Sequence, residues 1–139
     1  MKYKFRAYDD KNKVMVYSDK VYTAEYDGIS SNYHFEFNTD GEVCCYAEDE
    51  YLDQGGNRVV KYRKLENLMQ YIGAKDSDGR EIYECDVIRC YGYCFETSED
   101  YDYVIKIYDT SYYQNIKSLT ESENIEIYGN FYVNPELLK

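Results

Sequence analysis

Apolar and polar residues alternate along several short segments of the chain, and this pattern predicts strands. Residues 2–8 alternate Lys or Arg with aromatic or small apolar residues, as in a strand with one buried face. After the polar turn at residues 9–13, residues 14–17 are predicted to form the returning strand. Residues 32–38 alternate in the same way, and a turn that ends in Asp-Gly leads into a strand at residues 43–47. The first third of the chain is therefore predicted to form β-hairpins.

The middle of the chain is less regular. Residues 48–57 are acidic and contain two consecutive glycines, so we expect a mobile loop there. Residues 58–63 hold two valines and a tyrosine and fit a strand, while residues 64–67 fit one helical turn. Residues 68–72 are mostly apolar and lead to a turn at residues 76–79, where an Asp side chain is expected to bond nearby backbone amides.

The last third is predicted to continue the strands. Residues 87–95 predict a long strand that bends at Gly92. Residues 96–102 predict a loop, and residues 103–108 predict the next strand. The tyrosines at residues 112–113 are placed at the edge of a further strand.

The C-terminal residues predict one more strand and the start of a helix. Residues 124–128 alternate isoleucine with polar residues. Asn134 can cap a helix, Pro135 suits its first position, and Glu136 is favourable near the positive end of the helix dipole. Because strands recur at short spacing and helix is scarce, the pattern predicts a mainly β fold, either a barrel or a sandwich.

The stretch from Glu66 to Arg89 resembles the signature of the YopX family. The opening residues 4–9 and the closing residues 127–138 are similar to the two ends of that family, whereas residues 18–65 match little. The shared elements of the signature are Leu68-Met69-Gln70-Tyr71, Gly73, Lys75-Asp76, Gly79, Glu81-Ile82-Tyr83-Glu84 and Asp86-Val87.

The resemblance implies a small protein of bacteriophages and prophages of Gram-positive bacteria, from a family without an established biochemical function. It also implies an SH3-like barrel across residues 66–139, with the β-strands and hairpins of residues 1–65 packed on it and little helix. The usual Glu-Gly-Asp of the family is Glu84-Cys85-Asp86 here. A glycine would permit a positive φ, and the cysteine therefore favours an ordinary turn.

Composition is that of a folded globular chain. Its 139 residues are 31% charged and 44% apolar, which fits one domain with a sizeable core. No apolar run has the length of a transmembrane helix, and the N-terminus lacks the apolar core of a signal peptide. We therefore expect a cytoplasmic protein of a bacterial host with no membrane contact. The 20 tyrosines suit interfaces, although an A/T-rich coding sequence would also enrich tyrosine.

Charge is distributed unevenly. Residues 21–57 carry nine acidic and no basic residues, whereas residues 1–20 carry six basic and three acidic ones. The formal net charge of −11 repels phosphate backbones, so it disfavours nucleic acid as a partner. The acidity has two explanations that remain open, solubility and a binding surface. For the second, the candidate binding residues are Glu48, Asp49, Glu50 and Asp53.

The sequence offers little for catalysis, and we predict no catalytic residue. His34 is the only histidine, it lies on the polar face of a predicted strand, and no G-x-S-x-G nucleophile motif is present. Glu84 and Asp86 are two residues apart, so on an extended chain both carboxylates would face one way. The segment that starts at Asp76 lacks the glycine and glutamate positions of a calcium loop.

The cysteines predict neither a metal site nor a cofactor site. An odd number of cysteines without a leader favours reduced thiols. The C-x4-C and C-x3-C spacings differ from paired zinc knuckles, and the two adjacent cysteines would face opposite sides of a strand, although zinc remains an alternative. The five residues are Cys44, Cys45, Cys85, Cys90 and Cys94.

These observations favour an uncharacterised phage or prophage accessory protein that is not an enzyme and that binds a host or phage protein. In a sharper form, its acidic stretch makes it an inhibitor that mimics DNA. One alternative is a small barrel that binds single-stranded nucleic acid. Another is a homo-oligomer that self-assembles through strand edges. The nucleic-acid alternative needs a basic stripe formed by Lys2, Lys4, Arg6, Arg58, Lys61, Arg63 and Lys64.

Overall fold

The computed structural model describes residues 4–122 and 124–138. These residues form eleven strands, one α-helix and two short 3-10 helices, which confirms the mainly β prediction. They divide into two compact units, an N-terminal unit of residues 4–68 and a C-terminal unit of residues 69–138. The SH3-like barrel and the predicted domain boundary at residues 65 and 66 stay predictions. Among the described residues, no helix has the length and hydropathy needed to cross a bilayer.

The N-terminal unit is built from antiparallel strands. Strands β1 and β2 pair with each other, and β3 to β6 form a four-stranded sheet in chain order. Inward side chains of β1, β2, β5 and β6 make the core of this unit: Ala7, Val16, Cys45, Ala47 and Leu65. The strands are β1 (Phe5–Asp9), β2 (Val14–Tyr17), β3 (Thr23–Tyr26), β4 (Ile29–Phe37), β5 (Val43–Leu52) and β6 (Arg58–Leu65).

The prediction of a mobile loop at residues 48–57 is wrong. β5 continues to Leu52, and only residues 53–57 form a turn, in which Asp53 Oδ1 accepts hydrogen bonds from the backbone N–H groups of Gly55 and Asn57. The strand continues because its alternation does not stop at residue 47: Asp49 occupies the inward position that follows Ala47. The helical turn predicted at residues 64–67 is also wrong, since this region belongs to strands.

The C-terminal unit surrounds a second core. In its main sheet β9 lies between β10 and β11, and β8 pairs with β7. Seven of the eight core residues are isoleucine or alanine: Ile72, Ala74, Ile82, Ile88, Cys90, Ile107, Ile116 and Ile125. The elements are β7 (Asn67–Lys75, whose first two residues belong to the other unit), β8 (Glu81–Tyr83), β9 (Asp86–Cys94), β10 (Glu99–Lys106), α1 (Tyr113–Ser122) and β11 (Asn124–Asn130).

Helix α1 replaces the strand predicted near residues 112–113. The chain enters it through a 3-10 turn, Thr110–Tyr112, where the Asp109 side chain accepts a hydrogen bond from the backbone N–H of Ser111. Ile116 is buried and Leu119 packs beside it, so the apolar positions follow a spacing of three residues. That spacing favours a helix over a strand. The helix start predicted at Pro135 is confirmed as a single 3-10 turn, Pro135–Leu138.

Two further expectations for β9 need correction. β10 starts at Glu99, so the predicted loop at residues 96–102 is only a short turn. Cys85 has φ 70°, so the turn before β9 is not ordinary, and the cysteine adopts the left-handed conformation that a glycine would favour. Gly92 lies inside β9 opposite Tyr101, where a Cβ would come within 2.5 Å of the Tyr101 Oη. The absence of a side chain at Gly92 therefore leaves space for the Tyr101 ring.

Candidate protein-binding surface

The four predicted binding residues do not share one surface. β5 alternates between two faces, and its buried positions are Cys45, Ala47 and Asp49. Glu48 and Glu50 therefore point to the opposite face. Asp53 lies beyond the strand, in the turn that leads to β6. The structure brings Glu48 and Glu50 together on one face and separates Asp49 from them.

Asp49 is an internal ion-pair residue. Its side chain accepts a hydrogen bond from Ser31 Oγ at 2.6 Å and one from Arg63 Nε at 3.0 Å. Lys11 Nζ lies 3.6 Å from its Oδ2. Burial alone would raise the pKa of Asp49, but the hydrogen bonds from Arg63 and Ser31 outweigh burial and lower it. Asp49 is only 5% exposed, so its carboxylate is not available to a partner.

Arg63 joins Asp49 to a second buried carboxylate, Asp9. Its two terminal nitrogens donate to the two oxygens of Asp9 at 2.8 and 3.0 Å, in the fork geometry that favours arginine. The Tyr33 hydroxyl donates to Asp9 Oδ2 at 2.6 Å. Burial would raise the pKa of Asp9, yet the hydrogen bonds from Arg63 and Tyr33 dominate and lower it to about 2. This network ties β1, β4, β5 and β6 together and is structural.

The surface that remains for binding is the outer face of the N-terminal sheet. Residues directly opposite each other on paired strands share a face, so the register defines this surface. It carries four acidic and two basic residues among aromatic, aliphatic and small polar ones. Its members are Thr23, Glu25, Ser30, Asn32, His34, Glu36, Cys44, Tyr46, Glu48, Glu50, Leu52, Arg58, Val60, Tyr62 and Lys64.

Charge on the outer face is partly neutralised. Glu50 pairs with Arg58, and the His34 Nε2 lies 2.9 Å from the Glu48 Oε2. Glu25 and Glu36 have no ion pair within residues 4–122 and 124–138. Tyr62 and Leu52 are each 69% exposed. The face therefore combines excess negative charge with exposed apolar groups.

His34 is a cross-strand polar residue, as its position on the polar face predicted. It lies on β4, and its one hydrogen bond in the described part of the chain goes to Glu48 on β5. The carboxylate lies two residues beyond Tyr46, the register partner of His34. This arrangement explains the histidine without any catalytic group.

The basic stripe required for nucleic-acid binding is not assembled as a free surface. Arg6 is buried, with 4% exposure, and Arg63 is engaged with Asp9 and Asp49. Arg58 faces Glu50. Of the other members, Lys61 and Lys64 are exposed, and Lys2 lies outside the described residues. Most of the arginine charge is thus balanced by carboxylates inside the unit.

The carboxylates of the signature region bind backbone groups. Asp76 Oδ1 accepts from the N–H groups of Asp78 and Arg80 at 3.0 and 2.8 Å, which confirms the predicted Asp turn. Asp86 accepts from the N–H of Tyr83 at 2.8 Å, and Glu84 accepts from that of Gln70 at 2.6 Å. Burial raises the pKa of Glu84. These carboxylates organise turns, and Asp76 Oδ2 also pairs with Arg80 Nε at 2.9 Å.

The cysteines differ in burial and in the pKa of their thiols. Cys45 and Cys90 are buried core residues, and burial raises the pKa of Cys45 to about 12. Cys94 is half-buried, and hydrogen bonds from Thr97 lower its pKa. The described residues contain no group of three or more His, Cys, Asp or Glu side chains arranged to hold a metal ion.

One exposed surface was not predicted from the sequence. The hairpin of β9 and β10 exposes Tyr93 and Phe95, whose ring centroids lie 4.9 Å apart in an edge-to-face contact. Because residues 96–102 were expected to form a loop, the pairing of β10 with β9 was not predicted. The alternation of Tyr91, Tyr93 and Phe95 with smaller residues was the available signal.

Comparison with known proteins finds a family model and a solved structure to which the chain is similar. A family model described as YopX protein matches residues 4–139. The crystal structure of protein EF1440 from Enterococcus faecalis is similar at 18% sequence identity and a TM-score of 0.47, and the match covers 100% of this chain and 99% of that one. No curated protein matches the chain.

Proposed function

The chain belongs to the YopX protein family, and on that premise we propose that it is a phage or prophage accessory protein that acts by binding. It makes or breaks no covalent bond and works in the cytoplasm of a bacterial host. Its partner is a host or phage protein with a basic surface. The binding site is the outer face of the N-terminal sheet.

The observation that carries this proposal is the composition of that face. Tyr62 and Leu52 are largely exposed on neighbouring strands, and Val60 lies between them. Tyr46 lies two residues before Glu48, the register partner of Tyr62. Exposed apolar groups rimmed by polar ones mark interaction sites, and tyrosine is enriched at interfaces because its ring buries well while its hydroxyl remains hydrated. A face of this kind suits the binding of another protein better than the binding of a small substrate.

Charge decides what kind of partner fits. Four glutamates lie on the outer face, and Glu25 and Glu36 carry charge that no ion pair in the described chain neutralises. Glu48 and Glu50 repeat along β5 at about 7 Å, the distance between alternate residues of a strand. Complementary charge speeds encounter and excludes acidic partners. The spacing of these two carboxylates supports the sharper form, in which the chain occupies the nucleic-acid surface of a basic protein.

The experiment is affinity capture from host lysate with three versions of the full chain. The first is the wild type, and the second carries Glu36→Lys and Glu48→Lys on the outer face. The third is a matched control with Asp40→Lys and Glu42→Lys, which changes net charge equally but lies in the turn after β4. We expect the wild type and the control to retain a defined basic protein and the outer-face variant to lose it.

Two results would contradict the proposal. If the outer-face variant retains the same protein as the control, this face is not the site. If no protein is retained by the wild type at either low or moderate salt, binding itself is refuted as the function. Labelled DNA and RNA in the same buffers test the nucleic-acid alternative, for which we expect a flat titration.

A further inference from the structure

The hairpin of β9 and β10 extends beyond the third strand of its sheet. β11 pairs with β9 only between Asp86 and Tyr91, whereas β10 pairs with β9 as far as Cys94. Residues 92–101 therefore form a two-stranded segment, here named the distal ribbon. Over the described residues β10 is an edge strand along its whole length. Edge strands present backbone N–H and C=O groups to which another strand can pair.

The distal ribbon and the strand that continues from it expose large side chains. Phe95 is 86% exposed and Tyr93 is 48% exposed, and further along β10 Val104 is 50% exposed. The rings of Tyr93 and Phe95 pack on each other, and Tyr101 packs over Gly92. The ribbon thus stiffens itself through its own side chains, and its apolar surface remains open.

Nearly all the charged side chains of this region are acidic, and the one cation of β10, Lys106, lies at the end of the strand. Residues 90–105 contain four acidic residues and no basic one. Asp102 is paired with Arg89, whose Nη2 lies 2.7 Å from Asp102 Oδ2. Glu96, Glu99 and Asp100 have no ion pair with the part of the chain that the structure describes. Three uncompensated carboxylates therefore border the edge of β10.

This charge selects among the possible occupants of the edge. A second copy of the chain would place the same carboxylates against these ones, and like charges across a strand pair are destabilising. Nucleic acid and anionic lipid are repelled for the same reason. Asp100 and Asp102 share one face of the hairpin with Tyr93 and Val104, because Asp100 lies opposite Tyr93 and Asp102 lies opposite Tyr91. An extended segment that presents both basic and apolar side chains on that face satisfies the backbone groups and the carboxylates and covers the apolar surface.

We propose that β10 and the distal ribbon form a second binding edge, which accepts as an added strand an extended segment of another protein that presents basic and apolar side chains on the same face. Backbone hydrogen bonds supply the pairing, and the acidic and aromatic side chains supply the selectivity. This edge belongs to the C-terminal unit and works whether or not the outer face of the N-terminal sheet binds a partner.

The test uses as the probe a fluorescein-labelled peptide of the repeat Lys-Thr-Val-Thr, which places lysine and valine in turn on one face of a strand, and the full chain as the receptor. Fluorescence anisotropy gives the affinity at two salt concentrations. The matched control peptide has the same sequence with N-methyl groups on alternate residues, which blocks strand pairing and keeps the charge. We expect the N-methylated peptide to bind at least tenfold more weakly.

Chain variants locate the site. Glu99→Lys with Asp100→Lys should weaken peptide binding at least tenfold, because these exposed carboxylates border the edge. The matched control is Glu36→Lys with Glu48→Lys on the other unit, which changes net charge equally and should alter affinity less than threefold. Amide hydrogen exchange should slow in β10 when the peptide binds.

Three results would overturn the proposal: equal binding of the N-methylated peptide, equal losses in the two variants, or unchanged exchange in β10. Each shows attraction by net charge without strand pairing. Failure here is distinct from failure of the outer-face proposal, because the variant that should abolish one kind of binding is the control for the other. Urea unfolding of every variant verifies that the fold is retained.

Discussion

The two units hold their buried carboxylates by different means. In the N-terminal unit, Asp9 and Asp49 are inside and Arg63 neutralises both. In the C-terminal unit, Asp76 and Asp86 are equally buried, but backbone N–H groups are prominent among their donors. The first arrangement joins strands that are distant in sequence, whereas the second mainly shapes turns. Asp76 Oδ2 also accepts hydrogen bonds from Arg80 Nε at 2.9 Å and from the N–H of Ile127 at 3.2 Å.

This difference explains where the negative charge of the molecule is displayed. An internal ion pair removes basic charge from the surface together with the acid, so Arg63 is lost to any basic stripe. The C-terminal unit has few cations to begin with: residues 69–138 contain fourteen acidic and five basic residues. Some of its exposed carboxylates are paired with arginine, as Asp102 is with Arg89, but Glu96, Glu99 and Asp100 beside β10 have no ion pair with the described part of the chain. The unit that bonds its buried acids to backbone is therefore the one that should attract basic chain segments most strongly.

The largest expected effect comes from removing the charge that balances Asp9 and Asp49. Arg63→Met leaves two carboxylates without their cation in the interior, and breaking a buried ion pair in this way costs about 3–5 kcal/mol. The measurement is urea unfolding at neutral pH. As a control, Arg58→Met removes a partner of the exposed Glu50, where surface pairs contribute at most about 1 kcal/mol.

Two further replacements test whether the loss of stability in Arg63→Met comes from the carboxylates left without a cation. Adding Asp9→Asn and Asp49→Asn to Arg63→Met removes all three charges, and much of the lost stability should return because no uncompensated ion remains. If Arg63→Met costs no more than Arg58→Met, the network does not hold the N-terminal unit together.

Backbone-bound carboxylates should be less costly to change. Asp76→Ala leaves the N–H groups of Asp78 and Arg80 without their acceptor and should lower the free energy of unfolding by about 1–3 kcal/mol. Asp76→Asn keeps one acceptor oxygen and should cost less than the alanine variant. Equal losses for the two would mean that the negative charge matters here as it does at Asp9, which would remove the contrast between the units.

Acid should weaken the N-terminal unit through Asp9. The pKa of Asp9 is about 2 in the fold and 3.8 in the unfolded chain, so its stabilising contribution is complete above pH 5 and is lost as the pH falls toward 2. Because the pair is partly reached by solvent through Arg63, we expect on the order of 1–2 kcal/mol. Stability of the Asp9→Asn variant should vary less across this range. An identical pH dependence of the variant and the wild type would exclude Asp9 as the cause.

Hydrogen bonds between residues close in sequence could be predicted from the sequence, whereas ion pairs between residues distant in sequence could not. The Asp76 turn follows from an Asp two and four residues before the amides it binds. The extension of β5 was missed because acidic residues disfavour strands. Asp49 is accommodated by partners distant in sequence, Ser31, Arg63 and Lys11. Helix α1 was missed although Ile116 and Leu119 have helical spacing, because the tyrosines before them favour strands. Glu48 and Glu50 could be separated from Asp49 only once β5 was known to include residues 48–52.

The smallest expected effect concerns Cys85. Its backbone is held at φ 70° because its N–H donates to the carbonyl oxygen of Ile107 and its own carbonyl accepts from the N–H of Phe131. An L residue in this conformation costs roughly 1–2 kcal/mol, whereas glycine adopts it freely but loses about 0.4–1 kcal/mol through a more flexible unfolded chain.

Cys85→Gly should therefore raise the free energy of unfolding by up to about 1 kcal/mol, as measured in urea. Cys85→Ala is the matched control, because it removes the thiol and keeps the Cβ that causes the strain. The reverse change, Gly79→Ala at φ 83° in the turn shaped by Asp76, should destabilise by a similar amount. If Cys85→Gly is less stable than Cys85→Ala, the turn before β9 tolerates a side chain without strain. The departure from the Glu-Gly-Asp of the family would then carry no energetic penalty.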